Sequence, residues 1–334
     1  MTPAPSTNTG LTVRGLTTTF DTARGTAIAA ADVDFDVAPG EVVGLVGESG
    51  SGKSVTLRSI MRLIREPGKV SGRVEWNGRD IVAMPDEELR RLRGSEIAMI
   101  FQEPMTALNP VLPVGLQIEE NLTAHTGLSR RERRARALEL MTTVGIPDAE
   151  RRLKEYPHQF SGGMRQRAMI AIALACSPKL LLADEPTTAL DVTIQDQILK
   201  LLLDLRDRLS MSVVLVTHDL GVVAGTCDRM AVMYAGRIVE TGAVVDVFAR
   251  PHHPYTRGLL GSVPRGRAVR TMLASIDGTP PSLTALPDGC AFHPRCSFAT
   301  DECRRERPPL SPVGPGRLAA CFHHDRVAAA EAIL

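Results

Sequence analysis

Gly47-Glu48-Ser49-Gly50-Ser51-Gly52-Lys53-Ser54 is the stretch whose reading decides the fold. It fits G-x-x-x-x-G-K-[ST] in the context that gives the pattern meaning. The apolar run EVVGLV at 41–46, suited to a buried parallel strand, precedes it, and a helical stretch follows. Glycines let backbone N–H groups turn inward around phosphates, and the helix start adds the positive end of its dipole. Lys53 is expected to reach the β- and γ-phosphates of a nucleotide, and Ser54 to ligate Mg²⁺. A Gly-Ser turn with a chance lysine is the bland alternative, and the flanking strand and helix speak against it.

Leu180-Leu181-Leu182-Ala183-Asp184-Glu185 supplies the acidic partner. An apolar strand ending in two carboxylates places them at the edge where α/β sheets bind ligands. Asp184 is expected to hold Mg²⁺ through water, and Glu185 to polarise an attacking water. The next strand, near 213–216, ends in Thr217-His218-Asp219. Between the two strands Ile194, Ile198, Leu201, Leu202, Leu205 and Leu209 recur at helical spacing, which makes a βαβ unit. A right-handed crossover then puts His218 on the edge that carries Glu185, in reach of a γ-phosphate. Taken alone, a histidine after a strand is a structural residue.

Residues 1–10 read as a polar tail. Val33, Phe35 and Val37 alternate with Asp32, Asp34 and Asp36, the period of a half-buried strand. The block 86–176 reads mainly as helix, with a capping box at Ser129 and Glu132 and a stop at Gly145. Beyond residue 250 the chain holds 11 of its 23 prolines and four of its six cysteines, so this part reads as a separate appendage and not as more sheet. Among the 334 residues, 39 basic against 38 acidic side chains leave +1, which argues against general binding to nucleic acid or to a membrane surface. No apolar run approaches the roughly 18–20 residues that span a bilayer. The opening MTPAPSTNTG lacks a charged segment followed by an apolar one, so a cytosolic chain is expected, its cysteines reduced or metal-bound.

Phe160-Ser161-Gly162-Gly163-Met164-Arg165-Gln166 resembles the signature motif of ABC-type ATPases, with phenylalanine for the usual leucine and Met164 for the usual glutamine. Gln102 matches the Q-loop glutamine, Ala189-Leu190-Asp191 the D-loop and His218 the switch histidine, while Phe20 sits where the family places an adenine-stacking aromatic. A lone phenylalanine is equally a core residue. Ser161 also has a plain physical reading: it caps a helix running to about Cys176, and Gly162 and Gly163 keep that helix start open to a phosphate. The stretch 102–110 (QEPMTALNP), Tyr156-Pro157-His158-Gln159, and 253–260 (HPYTRGLL) narrow the resemblance to the ATPase subunit of oligopeptide/dipeptide importers, and Gly278-Thr279-Pro280-Pro281 with the cysteines is similar to that subfamily's C-terminal region.

The resemblance implies an α/β fold: a P-loop ABC ATPase domain at 11–250, with a parallel core sheet, an antiparallel β subdomain and a helical subdomain at about 103–176, followed by a small Cys- and Pro-rich region at 251–334. It implies ATP and Mg²⁺ as ligands, the ion lying between Ser54, Asp184 and Gln102. It further implies catalysis by Glu185 with His218 and Gln102, and an ATP sandwiched between the Lys53 loop of one chain and the Ser161 turn of another. Implied partners are a second ATPase chain, identical or paralogous, two membrane permease subunits touched by 102–120, and an extracytoplasmic binding protein. Nucleic acid is not among them. The chain would sit at the cytoplasmic face of the membrane, driving peptide import. A nickel or glutathione importer shares much of this motif set. A soluble ABC ATPase acting on ribosomes or DNA stays a rival, though such proteins usually pair two ATPase domains or carry long insertions.

Cys290, Cys296, Cys303 and Cys321 are separated by five, six and seventeen residues. That spacing fits neither the tight pairs of common zinc sites nor short ferredoxin runs. A structural [4Fe-4S] cluster is the leading reading; zinc, ordinary buried thiols and disulfides stay open. Cys176 and Cys227 are expected in the core, His293, His323 and His324 as exposed polar residues with metal ligation as the other reading, and the arginines of 304–307 on a solvated face.

Overall fold

A computed structural model describes residues 10–23, 25–188, 190–262 and 276–330. These fall into two compact units.

The first unit takes its described residues from 1–37, 42–82 and 217–334. An antiparallel four-stranded sheet in it runs in the order Gly25–Val37, Leu11–Thr22, Gly68–Trp76, Arg79–Asp80. Val33, Phe35 and Val37 are buried while Asp32 and Asp34 are exposed, so the period-two reading of that stretch holds. A second group of strands runs in the order Ser311–Gly314, Arg317–Ala319, Arg237–Ala243, Arg229–Tyr234, Val42–Val46. Only the last pair is parallel. All five residues of Val42–Val46 are buried, as a strand covered on both faces requires.

Two strands of the C-terminal region therefore extend a sheet, where the sequence suggests a separate appendage. Each is only three or four residues long, too short to show a period, and one contains Pro312. A buried ion pair ties them down. Glu240, fully enclosed, accepts from the backbone N–H of His252 at 2.8 Å and of His253 at 2.9 Å, and Arg317 Nη2 lies 3.3 Å from its Oε1. Burial raises the Glu240 pKa, and the two amides and the guanidinium oppose that rise. The apolar centre beside it joins Tyr234, Tyr255 and Phe292, with ring centroids 4.6–5.5 Å apart.

The second unit comprises the described residues of 38–41 and 83–216. Parallel strands Ile97–Ile100, Leu180–Asp184 and Ser212–Thr217 (all but the last residue of which belongs here) pair side by side, with Leu180–Asp184 in the middle. The helices Val114–His125, Arg130–Thr143, Gly162–Ala173 and Val192–Leu209 accompany them. The capping box at Ser129 forms in full: Ser129 Oγ accepts from Glu132 N and Glu132 Oε2 accepts from Ser129 N. Gly145, at φ +76°, ends that helix as expected.

Candidate functional site: a phosphate loop and a carboxylate-tipped strand

Gly47–Gly52 bridges the buried strand Val42–Val46 and the helix Lys53–Ile60. Two of its glycines are obligatory. Gly47, at φ +154°, would drive a Cβ into the carbonyl of Met233, and Gly52, at φ +103°, into the carbonyl of Ala29. The chain thus turns tightly between two backbone walls and presents its amides at a helix start that no side chain caps. Lys53 is buried at 4% exposure, and its Nζ donates to the carbonyls of Gly47 and Glu48 at 2.8 Å each and to Ser51 Oγ at 3.3 Å. The ammonium is held against the loop's own oxygens.

In the second unit the strand Leu180–Asp184 ends as the sequence requires. Asp184 is fully buried and pairs in register with Val216. Glu185 turns off at φ +46°, its N–H donating to the Val216 carbonyl at 3.0 Å. Its carboxylate meets Gln102, whose Nε2 donates to Oε2 at 3.2 Å, and Thr188, whose Oγ1 donates to the same oxygen at 2.7 Å. Gln102 and Glu185, 83 residues apart in the chain, are thus brought together. These two donors aim the carboxylate, which suits a group that orients or deprotonates water.

Ser161 caps Gly162–Ala173 by accepting from Met164 N at 3.3 Å, and both Ser161 and Gly162 are exposed. That helix stops at Ala173, short of the expected Cys176. Arg165 Nε donates to the Pro157 carbonyl at 2.8 Å, and Gln166 is buried. The open end of this helix therefore faces outward. Asp191 caps the helix Val192–Leu209 through Ile194 N at 3.0 Å, Leu190 precedes it, and Ala189 lies outside the described residues. In the first unit His218 is exposed, and Asp219 beside it caps Leu220–Thr226. Phe20 is partly buried on Leu11–Thr22, opposite Gly68 and Ala27.

The ABC transporter family model matches residues 30–188, and the model of the oligopeptide/dipeptide transporter C-terminal region matches residues 239–303. A probable peptide ABC transporter ATP-binding protein of Sinorhizobium fredii is 54% identical over 320 residues, covering 95% of this chain and 96% of its own. The chain belongs to the ATP-binding subunits of ABC-type oligopeptide/dipeptide transporters. The oligopeptide transport ATP-binding protein OppD of Salmonella typhimurium is 50% identical over 320 residues, 96% of this chain and 95% of its own. Among solved structures, an ATP-binding cassette dimer in a post-hydrolysis state bound to ADP and Pi superposes with a TM-score of 0.64 at 32% identity, over 70% of this chain and 98% of that one. The fold is that of an ABC ATPase, which implies ATP and Mg²⁺ as ligands. Among the described residues no helix is long and apolar enough to cross a membrane.

In this ATPase subunit the four C-terminal cysteines border one small cavity with Phe292, Phe298, His293 and His323. Burial pushes the Cys296 thiol up to about 11 and Cys321 to about 12, and raises Cys290. Cysteines of the set also raise one another in the same three, so they lie within electrostatic reach. The donor type suits a thiolate-bound metal. Among the described residues, however, no group of three or more His, Cys, Asp or Glu side chains stands ready to hold one, so iron–sulfur or zinc ligation is not shown. His293, His323 and His324 are half-buried and not exposed as expected; His323 Nε2 pairs with Thr300 Oγ1 at 2.9 Å.

Two features escape a reading by motif. Thr188 has only its place three residues after Glu185 to mark it. Glu48 is ion-paired to Arg295, 247 residues away, which no local pattern signals.

Proposed function

We propose that this chain hydrolyses ATP to energise the import of di- and oligopeptides through a membrane permease. The observation that carries the reading is the match to a peptide ABC transporter ATP-binding protein along 95% of the chain, the C-terminal region included. In this reading residues 11–250 form the ATPase domain, about 103–176 its helical part, and 251–334 the region proper to peptide transporters. Lys53 and the loop 47–54 hold the phosphates. Ser54, Asp184 and Gln102 hold Mg²⁺, which supplies charge neutralisation at the phosphates when bound. Phe20 stacks on the adenine. Glu185, aimed by Gln102 and Thr188, takes a proton from the attacking water, and His218 donates a hydrogen bond towards the γ-phosphate.

The outward-facing start of Gly162–Ala173, with residues 161–166 and residues 189–191, serves an ATP held by a second ATPase chain. Two permease subunits, served by an extracytoplasmic binding protein, hold the pair at the cytoplasmic face of the membrane. The test is Glu185→Gln, which keeps the shape and removes the base. ATP binding should persist while hydrolysis falls roughly 10²–10⁴-fold. Near-normal steady-state hydrolysis would remove Glu185 from this role.

The four cysteines carry a finer proposal, an iron–sulfur cluster that staples the C-terminal region, with zinc as the second candidate. It is supported by their convergence on one cavity. Ligation would require deprotonating thiols whose burial now disfavours the thiolate. Protein purified anaerobically should contain iron and acid-labile sulfide. Zinc alone would select the second candidate, and metal-free protein would leave ordinary buried thiols.

A further inference from the structure

Arg295 lies at the end of the short turn His293–Arg295, in the C-terminal region, yet its side chain reaches the phosphate loop. Nη1 donates to Glu48 Oε2 at 2.8 Å and Nη2 to Glu48 Oε1 at 3.0 Å, a two-pronged fork. The remaining donors are also used: Nε to the Asp277 carbonyl at 2.9 Å, Nη2 to the Ile276 carbonyl at 3.3 Å, and Nη1 to Tyr234 Oη at 3.4 Å. All five N–H groups of the guanidinium thus have acceptors. The guanidinium also lies over the rings of Tyr234 and Phe292, and the Arg295 side chain is only 5% exposed. Its geometry is fully determined.

Glu48 is gripped on its backbone too. Its N–H donates to Tyr255 Oη at 2.8 Å, and Tyr255 is itself fully buried. The Glu48 carbonyl in turn accepts from Lys53 Nζ at 2.8 Å and from Ser51 N at 3.2 Å. A continuous chain of contacts within the first unit therefore runs from Arg295 through Glu48 to Lys53. The phosphate-loop pattern leaves the residue after Gly47 open, so phosphate binding does not itself explain a carboxylate there. An unpaired carboxylate beside a loop that takes polyphosphate would repel its ligand. The fork both cancels that charge and fixes the loop's second residue.

We propose that Arg295 is a positioning residue for ATP, acting through Glu48 to set the shape and charge of the phosphate loop, so that the C-terminal region tunes nucleotide affinity. This rests on the reading that the loop holds the phosphates of ATP. The test measures ATP Kd on the full chain, and KM and kcat on the assembled transporter, for Arg295→Gln, Arg295→Lys, Glu48→Ala and the Glu48→Ala/Arg295→Gln pair, with Lys53→Ala as control.

Arg295→Gln should weaken ATP binding and raise KM roughly 5- to 50-fold with kcat within about threefold, the size of a lost charged fork. Arg295→Lys, which keeps the charge but cannot fork, should fall between it and wild type. In the Glu48→Ala background Arg295→Gln should add nothing, because its route to the loop is gone. A purely structural Arg295 would instead lower kcat and thermal stability independently of Glu48, which would overturn the inference. ATP affinity and KM within twofold of wild type in both Arg295 variants would overturn the inference, as would additive effects in the pair. Arg295→Lys keeps the test decisive if Arg295→Gln fails to fold. If Lys53→Ala leaves ATP binding intact, it is the underlying reading of the loop that fails.

Discussion

Replacing Gly52 by alanine tests the phosphate loop where its geometry is tightest. Gly52 is the first half-helical residue before Lys53, with φ +103° and ψ 0°. A Cβ there would collide with the Ala29 carbonyl and stand 3.3 Å from Gly236 Cα and from Met233 Cε. Two of those three neighbours are backbone of other strands and turns, so only the methionine tip can yield. A side chain held at positive φ costs about 1–3 kcal/mol. The loop can escape that cost only by leaving the conformation in which its amides and Lys53 face a phosphate. Paid at the bound state, the same energy weakens ATP binding about 5- to 150-fold at 1.4 kcal/mol per decade. Titration with a fluorescent ATP analogue reads the affinity, and a nucleotide-free thermal melt reads any strain left in the resting fold. An alanine variant with unchanged affinity and unchanged melting temperature would refute the claim that this loop is shaped by steric necessity.

Ser161→Arg should abolish ATP hydrolysis when both ATPase chains carry it, by filling the helix start proposed to face a partner's ATP; full hydrolysis by an isolated monomer, independent of protein concentration, would count against the sandwich. His253 predicts a pH effect on stability. Its Nδ1 accepts from Tyr255 N at 3.1 Å, and full burial holds the imidazole down to about 3 against an ordinary 6.5. The unfolded chain therefore binds the proton first, and stability is lost as pH falls from 6.5 towards 3. That amounts to about 2 kcal/mol by pH 5. His253→Asn keeps a capping acceptor and removes the titration, so urea unfolding at pH 7 and pH 5 should show a smaller loss than in the parent chain; equal losses would show that His253 does not titrate this way.

The local geometry of the loop at 47–54 and of the strand end at 184–185 was legible because each is set by neighbouring residues. Eight consecutive residues define the phosphate loop, and an apolar strand followed by Asp184-Glu185 announces itself through one change of polarity. The helix start at Ser161 and the capping box at Ser129 follow from side chains that bond their own backbone three residues on. Contacts spanning the length of the chain were not legible. Arg295 with Glu48, and Arg317 with Glu240, join segments 247 and 77 residues apart, and neither pair sits in a periodic pattern. The strands Ser311–Gly314 and Arg317–Ala319 were hidden because proline and glycine dominate the first and the second is three residues long. Their place in the sheet is decided by the buried Glu240–Arg317 pair, which is tertiary.

The central claim, that ATP turnover at the Lys53 loop drives peptide movement, is tested most directly in proteoliposomes. These should hold this chain, its second ATPase and the permease pair, with binding protein outside and ATP inside. The account predicts accumulation of labelled di- or oligopeptide that requires ATP, with hydrolysis stimulated by peptide-loaded binding protein, and both lost in Lys53→Ala, which removes the buried ammonium proposed to hold the phosphates. Peptide accumulation unaffected by Lys53→Ala, or ATP hydrolysis that proceeds without moving any peptide, would contradict it.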